Sequence, residues 1–221
     1  MNISADYKDE CVILLHGLGD VKLSMNKLEY NLRKAGYSTK NVGYDSNDKK
    51  IELISEEDLA SVIKQCKYYK KIHFVTHSMG GLIVRYYLQN NKLPNGSRLV
   101  MLSPPNKGSG IADYFENSKI YELFYGKVGK ELQTDSQLIH TLSKIDYEVG
   151  IIAGNKSTNP FFSSILQGED DGRVAVENMK LDEMIDFIII PTTHLLIKYN
   201  NDVAKQTILF LKNGKFDHPQ K

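Results

Sequence analysis

One stretch of the chain, residues 71–86, restricts the fold more than any other: KIHFVTHSMGGLIVRY. An apolar run of the β type leads directly into Ser78, two glycines follow, and apolar residues then recur at helical spacing. A serine on such a strand-to-helix turn has a strained backbone and an exposed hydroxyl, which suits a nucleophile. The pattern predicts a nucleophile elbow. The alternative is an ordinary buried strand that ends in a helix-capping serine.

The residues around the serine bear on the same interpretation. Met79 opens the predicted helix, so its backbone N–H has no partner inside the helix and can face a developing oxyanion. Gly80 and Gly81 allow the helix to pack closely against the sheet. Thr76 stands where the G-x-S-x-G motif has its first glycine, in a corner where a small residue is expected.

A glycine-rich turn follows the first apolar run of the chain, residues 11–15. A continuous apolar run is typical of a parallel strand that is buried on both faces. Gly17 and Gly19 allow a tight turn at its carboxyl end, where open α/β sheets bind their ligands. The N–H of Leu18 is therefore the candidate for a second oxyanion donor. The alternative is a plain glycine-rich turn.

Apolar runs of strand type alternate with helical patterns along the rest of the chain. This alternation predicts one α/β domain over residues 1–221, with an open, mostly parallel sheet of about six strands and helices on both faces. The expected strands are residues 11–15, 37–44, 72–75, 99–102, 147–152 and 187–190. The expected helices are residues 24–34, 55–66 with Ser55 as its cap, 79–90 and 202–211.

Residues 110–134 are richer in aromatic side chains than their surroundings. We expect this segment to be either a partly helical cap over an acyl pocket or one amphipathic helix that packs on the sheet. The aromatic residues are Tyr114, Phe115, Tyr121, Phe124 and Tyr125.

Three residues that follow predicted strands could form a catalytic triad: Ser78, Asp171 and His194. A serine hydroxyl becomes a good nucleophile when an imidazole takes its proton, and a buried carboxylate fixes the tautomer of that imidazole. Of the six histidines, His194 alone lies in the loop that directly follows the last core strand, and His218 lies in the polar tail. Asp170 and Glu169 could replace Asp171 as the acid. The alternative for this acidic cluster is a cation-binding or merely solvated loop.

Five segments carry a resemblance to a known family: residues 16–19 (HGLG), 76–81 (THSMGG), 105–109 (PNKGS), 171–174 (DGRV) and His194. With its order of serine, acid and histidine, the chain resembles the α/β-hydrolase superfamily, especially its compact bacterial lipases and esterases. The resemblance implies that Ser78 is the nucleophile, His194 the base and Asp171 its orienting acid. It also implies an oxyanion hole formed by the N–H groups of Leu18 and Met79.

The expected activity is that of a serine hydrolase, lipase-like or carboxylesterase-like, which cleaves a small-molecule or lipid ester through an acyl-enzyme. A thioesterase or an acyltransferase would use the same residues. Because this fold also has members that are not hydrolases, a catalytically idle binding protein is the alternative from another class.

The composition limits the classes of partner that we expect. Lys and Arg number 28 against 27 for Asp and Glu, a net charge of +1, so a nucleic-acid surface is not expected. No apolar run is long enough to cross a bilayer, and the polar first ten residues contain no signal core. We therefore expect a cytoplasmic protein.

Cys11 and Cys66 are expected to be small core side chains, neither a disulfide nor a metal site. No metal or cofactor is expected.

Overall fold

A parallel sheet of six strands forms the centre of the molecule. The computed structural model describes residues 7–118 and 126–218. Every neighbouring pair of strands is parallel, so the predicted α/β architecture is confirmed. The strands are β1 Glu10–Leu15, β2 Ser38–Val42, β3 Lys71–His77, β4 Arg98–Leu102, β5 Glu148–Gly154 and β6 Asp186–Ile190. They lie side by side in the order β2-β1-β3-β4-β5-β6.

β1 shows how the sheet is buried on both faces. Ile13 and Leu15 belong to one hydrophobic cluster, and Val12 and Leu14 belong to the cluster on the opposite face. All four side chains are fully buried. Because successive residues of a strand point to opposite faces, a strand that is covered on both faces has a continuous apolar sequence.

Helices cover both faces of the sheet. Among residues 7–118 and 126–218, none of these helices is long and apolar enough to cross a membrane. The α-helices are Asn26–Lys34, Ile51–Leu53, Ala60–Gln65, Gly80–Asn90, Gly110–Tyr114, Gln137–Thr141, Pro160–Ile165, Val176–Met179 and Asn201–Asn213, with a π-helical segment at Ile54–Leu59 and 3₁₀ turns at Lys22–Met25, Lys127–Leu132 and Ile197–Tyr199.

The order of the strands places the turns after β1 and β3 next to each other. After β1 the chain crosses to the edge strand β2, and it then returns to β3 on the other side of β1. Leu15, the last residue of β1, pairs with Thr76 near the end of β3. Open parallel sheets bind ligands at such a switch point, outside the carboxyl ends of the strands. Leu18 and Ser78 follow these two ends.

The helix after β2 does not begin at Ser55, as the sequence predicted. It begins at Ile51, and Ser55 lies inside the π-helical segment. The Ser55 Oγ has no hydrogen-bond partner among the described residues. The N–H of Ile51 donates to a carboxylate oxygen of Glu131 over 2.9 Å. A distant acceptor thus replaces the local cap, and the fully buried Ile51 and Ile54 anchor the first turns.

The aromatic segment 110–134 is not one helix in its described parts. An α-helix ends at Tyr114, and a 3₁₀ turn occupies Lys127–Leu132. Phe115 packs edge-on against Phe162, with ring centroids 6.1 Å apart, in a small hydrophobic cluster that is separate from the two large ones. Tyr121, Phe124 and Tyr125 lie outside the described residues. That the segment is a cap remains a prediction.

The expectation that Cys11 and Cys66 form no disulfide is wrong. Both side chains are fully buried, as core residues are, but the structure joins them in a disulfide with their Cα atoms 6.2 Å apart. Cys66 ends the helical stretch that precedes β3, and β3 is the neighbour of β1, which carries Cys11. The fold thus brings together residues 55 positions apart, a contact that the spacing alone does not indicate.

Candidate active site

Ser78 occupies a strained turn between β3 and the helix Gly80–Asn90, with φ at 52°. This left-handed value is uncommon for a residue that has a side chain, and such strain is concentrated at functional sites. The Ser78 N–H donates to the carbonyl of Leu102 at the end of β4 over 2.9 Å. The sharp strand-to-helix turn that the sequence predicted is therefore present.

Gly80 brings the helix after Ser78 into contact with the end of β1. A Cβ atom at Gly80 would lie 2.8 Å from the carbonyl oxygen of His16 and 2.9 Å from that of Leu15. A Cβ atom at Gly17 would lie 3.0 Å from Cβ of Ser78. The turn after β1 therefore contacts the turn that carries the serine.

The two N–H groups that could stabilise an oxyanion flank this contact. Leu18 directly follows Gly17 and lines the same cavity as Ser78. Met79 precedes the first helical residue, so its N–H is one of the unpaired donors at a helix start. Within the described part of the chain, no backbone acceptor takes up either N–H. The oxyanion donors that the sequence predicted are thus without a backbone acceptor, as that role requires.

His16 and Tyr44, the second of which the sequence analysis did not single out, hold the turn after β1. The Tyr44 hydroxyl donates to the carbonyl of His16, and the two rings stack with centroids 4.0 Å apart. The His16 Nδ1–H donates to the carbonyl of Gly17 over 2.9 Å. Burial raises the pKa of Tyr44 and lowers the pKa of His16, so both rings are neutral at pH 7. The available signal for Tyr44 was its place just after the end of β2.

Asp171 and His194 form a buried hydrogen-bonded pair. The Nδ1 atom of His194 lies 2.7 Å from Oδ2 of Asp171, and the His194 backbone N–H donates to the Asp171 carbonyl over 2.8 Å. The other carboxylate oxygen accepts the N–H groups of Arg173 and Val174 at 3.0 and 2.9 Å. This pairing keeps a proton on Nδ1 and leaves Nε2 as an acceptor.

The neighbouring acids do not contact the histidine in the described structure. Oδ1 of Asp170 accepts the N–H of Gly172 at 2.7 Å and the hydroxyl of Ser163 at 3.1 Å, so Asp170 holds the loop itself. Glu169 is exposed. Of the three acids considered from the sequence, Asp171 is the one that contacts His194.

Ser78 and His194 line one cavity of about 610 Å³. Both are largely buried, and no hydrogen bond joins the Ser78 hydroxyl to the His194 ring in the residues described. Such catalytic hydrogen bonds are often long in ligand-free structures and tighten when substrate binds. The cavity wall is mostly apolar and includes Ile111, Phe115, Leu132, Phe162, Val174 and Leu195.

His77 and His73 have structural contacts. His77 donates from Nε2 to the carbonyl of His194 over 2.9 Å. Burial lowers the pKa of His77 well below its usual value, so the ring stays neutral. His73 contacts Glu10 at 3.0 Å, near the start of β3. No group of three or more His, Cys, Asp or Glu side chains in residues 7–118 and 126–218 could hold a metal ion.

The parallel sheet, the serine on its strained turn and the histidine–aspartate pair on later loops define a class: the protein is a serine hydrolase of the α/β-hydrolase fold. A family model described as palmitoyl protein thioesterase matches residues 11–147, more than half of the chain. The protein therefore belongs to the palmitoyl protein thioesterase family. The match includes Leu18, Ser78 and Met79 and ends before Asp171 and His194.

Solved structures of bacterial lipases and esterases have the same fold. The mature lipase BlEst2 of Bacillus licheniformis is 19% identical, with 97% of this chain and 96% of that chain covered and a TM-score of 0.75. The phospholipase PlaB of Legionella pneumophila is 18% identical over 93% of this chain and 60% of that one, TM-score 0.72. An esterase from Exiguobacterium antarcticum is 15% identical over 92% of each chain, TM-score 0.64. No curated protein matches the sequence.

Substitution of alanine for Gly80 should disturb the site, whereas the same change at Gly81 should be tolerated. At Gly80 the new methyl group would meet backbone oxygens at 2.8 and 2.9 Å, which can move only together with β1. At Gly81 its nearest neighbour is Cβ of Pro104 at 3.3 Å. We expect Gly80→Ala to slow labelling by a fluorophosphonate about tenfold or more and Gly81→Ala to stay within about threefold. Equal rates in the two variants would contradict this account.

Proposed function

We propose that the protein hydrolyses carboxylic esters through an acyl-enzyme, with Ser78, His194 and Asp171 as the catalytic triad. One observation carries the proposal: the Asp171–His194 pair leaves Nε2 as an acceptor in the wall of the cavity that Ser78 also lines. An imidazole oriented by a buried carboxylate is what a serine hydroxyl requires to become nucleophilic.

The proposed reaction has two halves. In the first, Nε2 of His194 takes the proton of Ser78 while the serine oxygen attacks the ester carbonyl. The resulting oxyanion accepts hydrogen bonds from the N–H groups of Leu18 and Met79. The bond to the alcohol oxygen then breaks, and that oxygen takes the proton from His194. In the second half, His194 deprotonates a water that attacks the acyl-enzyme, and the acid leaves Ser78 with its proton restored.

The cavity favours an apolar acyl group. Its wall presents aliphatic and aromatic side chains from the segments after β4 and β5, including Ile111, Phe115 and Phe162. Each methylene group removed from water into such a cavity contributes about 0.8 kcal/mol to binding. Lipase-like or carboxylesterase-like turnover of a small-molecule or lipid ester is the activity that these residues support best.

Thioester hydrolysis is the second candidate, and the family match favours it. The same triad and oxyanion donors would serve, because both reactions pass through the same acyl-enzyme. A thiolate is also a better leaving group than an alkoxide, since a thiol has a pKa of about 8.5. Acyl transfer would differ only in that an alcohol replaces water in the second half.

Fluorophosphonate labelling tests the triad without a choice of substrate. We expect the wild type to be labelled at Ser78 alone and Ser78→Ala not to be labelled. The labelling rates of His194→Ala and Asp171→Asn should be lower than that of the wild type by a factor of about 100 or more. Asp170→Asn is the matched control, because its amide oxygen can still accept the Gly172 N–H; its rate should stay within about threefold. Mass spectrometry of the adduct gives the site. A folded wild-type protein that is not labelled would contradict the proposal and favour the idle binding protein.

A series of matched esters and thioesters tests the substrate. For p-nitrophenyl esters from acetate to palmitate, kcat/KM should increase with chain length until the acyl group fills the cavity. The same acyl groups on a thiol give the thioester comparison, and analysis of products with added alcohol detects acyl transfer. A preference for acetate over all longer chains would contradict the assignment of the apolar wall to the acyl group.

We also propose a cytoplasmic location, and the Cys11–Cys66 bond supplies its test. Disulfides persist in oxidising compartments and are rare in the cytosol, where thiols are kept reduced, so the redox state of this cysteine pair in cells reports the compartment. In cells that are quenched with acid and alkylated after denaturation, a cytoplasmic protein should carry the label on both cysteines. A protein that takes up the label only after reduction would contradict a cytoplasmic location.

A further inference from the structure

An ion pair in the cavity wall has no part in the reaction proposed above. The ammonium group of Lys198 contacts Oδ2 of Asp20, and both residues line the cavity with Ser78 and His194. The side chain of Lys198 is 4% exposed and that of Asp20 is 21% exposed. Lysine is almost never buried this deeply unless it is paired.

The two partners lie on the loops that carry two parts of the proposed machinery. Asp20 ends the turn after β1, two residues beyond Leu18, and its other carboxylate oxygen accepts the Val21 N–H at 2.9 Å. Lys198 belongs to the 3₁₀ turn Ile197–Tyr199, one helical turn beyond His194. The pair joins residues 178 positions apart in the sequence.

The lysine side of the pair is held firmly. The N–H of Ile197 donates to the carbonyl of Thr193 over 3.0 Å, and the Ile197 side chain is fully buried. From outside the cavity, the ammonium group of Lys27 donates to the carbonyl of Tyr199. His194 and Lys198 are therefore parts of one short, well-anchored turn, and a shift of either would move the other.

A buried ion pair is weak evidence for stability, because apolar side chains of similar volume often serve as well. It does favour one geometry, since each charge is satisfied only when its partner is in place. Here that geometry fixes the distance between the oxyanion turn and the histidine turn. A reacting carbonyl must contact the donors of the first turn and the base of the second at the same time.

We propose that Lys198 and Asp20 are positioning residues, which hold the Leu18 turn against the His194 turn so that both face one reacting carbonyl. The inference rests on the proposed function and extends it. It requires no contact between the pair and the substrate, so it predicts an effect on turnover that is the same for neutral and for charged substrates.

The test compares Lys198→Met, Asp20→Asn, the double variant and Lys198→Arg on one neutral and one charged p-nitrophenyl ester. Each single change should lower kcat about tenfold or more and leave KM within about threefold. The double variant should be no worse than the poorer single variant, because the two residues act as a unit. Lys198→Arg keeps the pair and should recover most of kcat.

Lys71→Met is the matched control. Lys71 contacts Glu10 at 2.7 Å at the amino-terminal end of the sheet, so its loss removes an ion pair without touching the site. We expect its kcat to stay within about twofold. Circular dichroism establishes that each variant is folded. If Lys198→Met does not fold, the kcat values of Asp20→Asn and Lys198→Arg test the inference.

Three results would overturn the inference. The first is an unchanged kcat in the folded variants, and the second is an effect on KM alone or only on charged substrates. The third is a double variant in which the two losses multiply. In each case the wild type remains active, so the proposed function stands. A wild type with neither turnover nor fluorophosphonate labelling would overturn the proposed function and this inference together.

Discussion

The close approach of two backbones, at the ends of β1 and β3, is the constraint on which the rest of the site depends. Parallel pairing sets Leu15 beside Thr76, and the absence of a side chain at Gly80 lets the carbonyls of β1 reach the start of the next helix. The turns on which Leu18 and Met79 lie are in contact for this reason. With a side chain at Gly80, β1 and the helix that begins at Gly80 could not both keep their present positions.

Among the buried histidines His16, His77 and His194, a carboxylate partner distinguishes the one that is suited to act as a base. His16 and His77 are both buried without a carboxylate partner, and burial lowers the pKa of each. Their neutral rings donate to main-chain carbonyls, of Gly17 and of His194, and so fix the backbone of the two loops around the serine. His194 instead has the Asp171 carboxylate at 2.7 Å, which can stabilise an imidazolium as it forms. Similar rings thus have different roles because of their environments.

The parts that the sequence predicted rest on local patterns. Strands that are buried on both faces have continuous apolar runs, and the turn at Ser78 follows from a strand, a serine and two glycines in succession. The features that the sequence analysis missed depend on contacts between distant segments. One is the cap of Ile51 by Glu131, 80 positions away, and another is the Lys198–Asp20 pair, whose members are 178 positions apart. The disulfide, 55 positions apart, is of the same kind. Local patterns do not specify which strands become neighbours.

The proposed chemistry determines which side of the cavity distinguishes an ester from a thioester. Both substrates give the same acyl-enzyme, so the apolar wall that would hold the acyl group would bind the two acyl groups equally well. In the proposed reaction the leaving group lies beside Nε2 of His194, which returns the proton to an alkoxide. Leu195, a half-exposed residue next to His194, and Lys198 both line the cavity. If the proposed reaction holds, the loop after β6 is where the two leaving groups would be distinguished, and the ion pair from Lys198 to Asp20 joins that loop to the turn after β1.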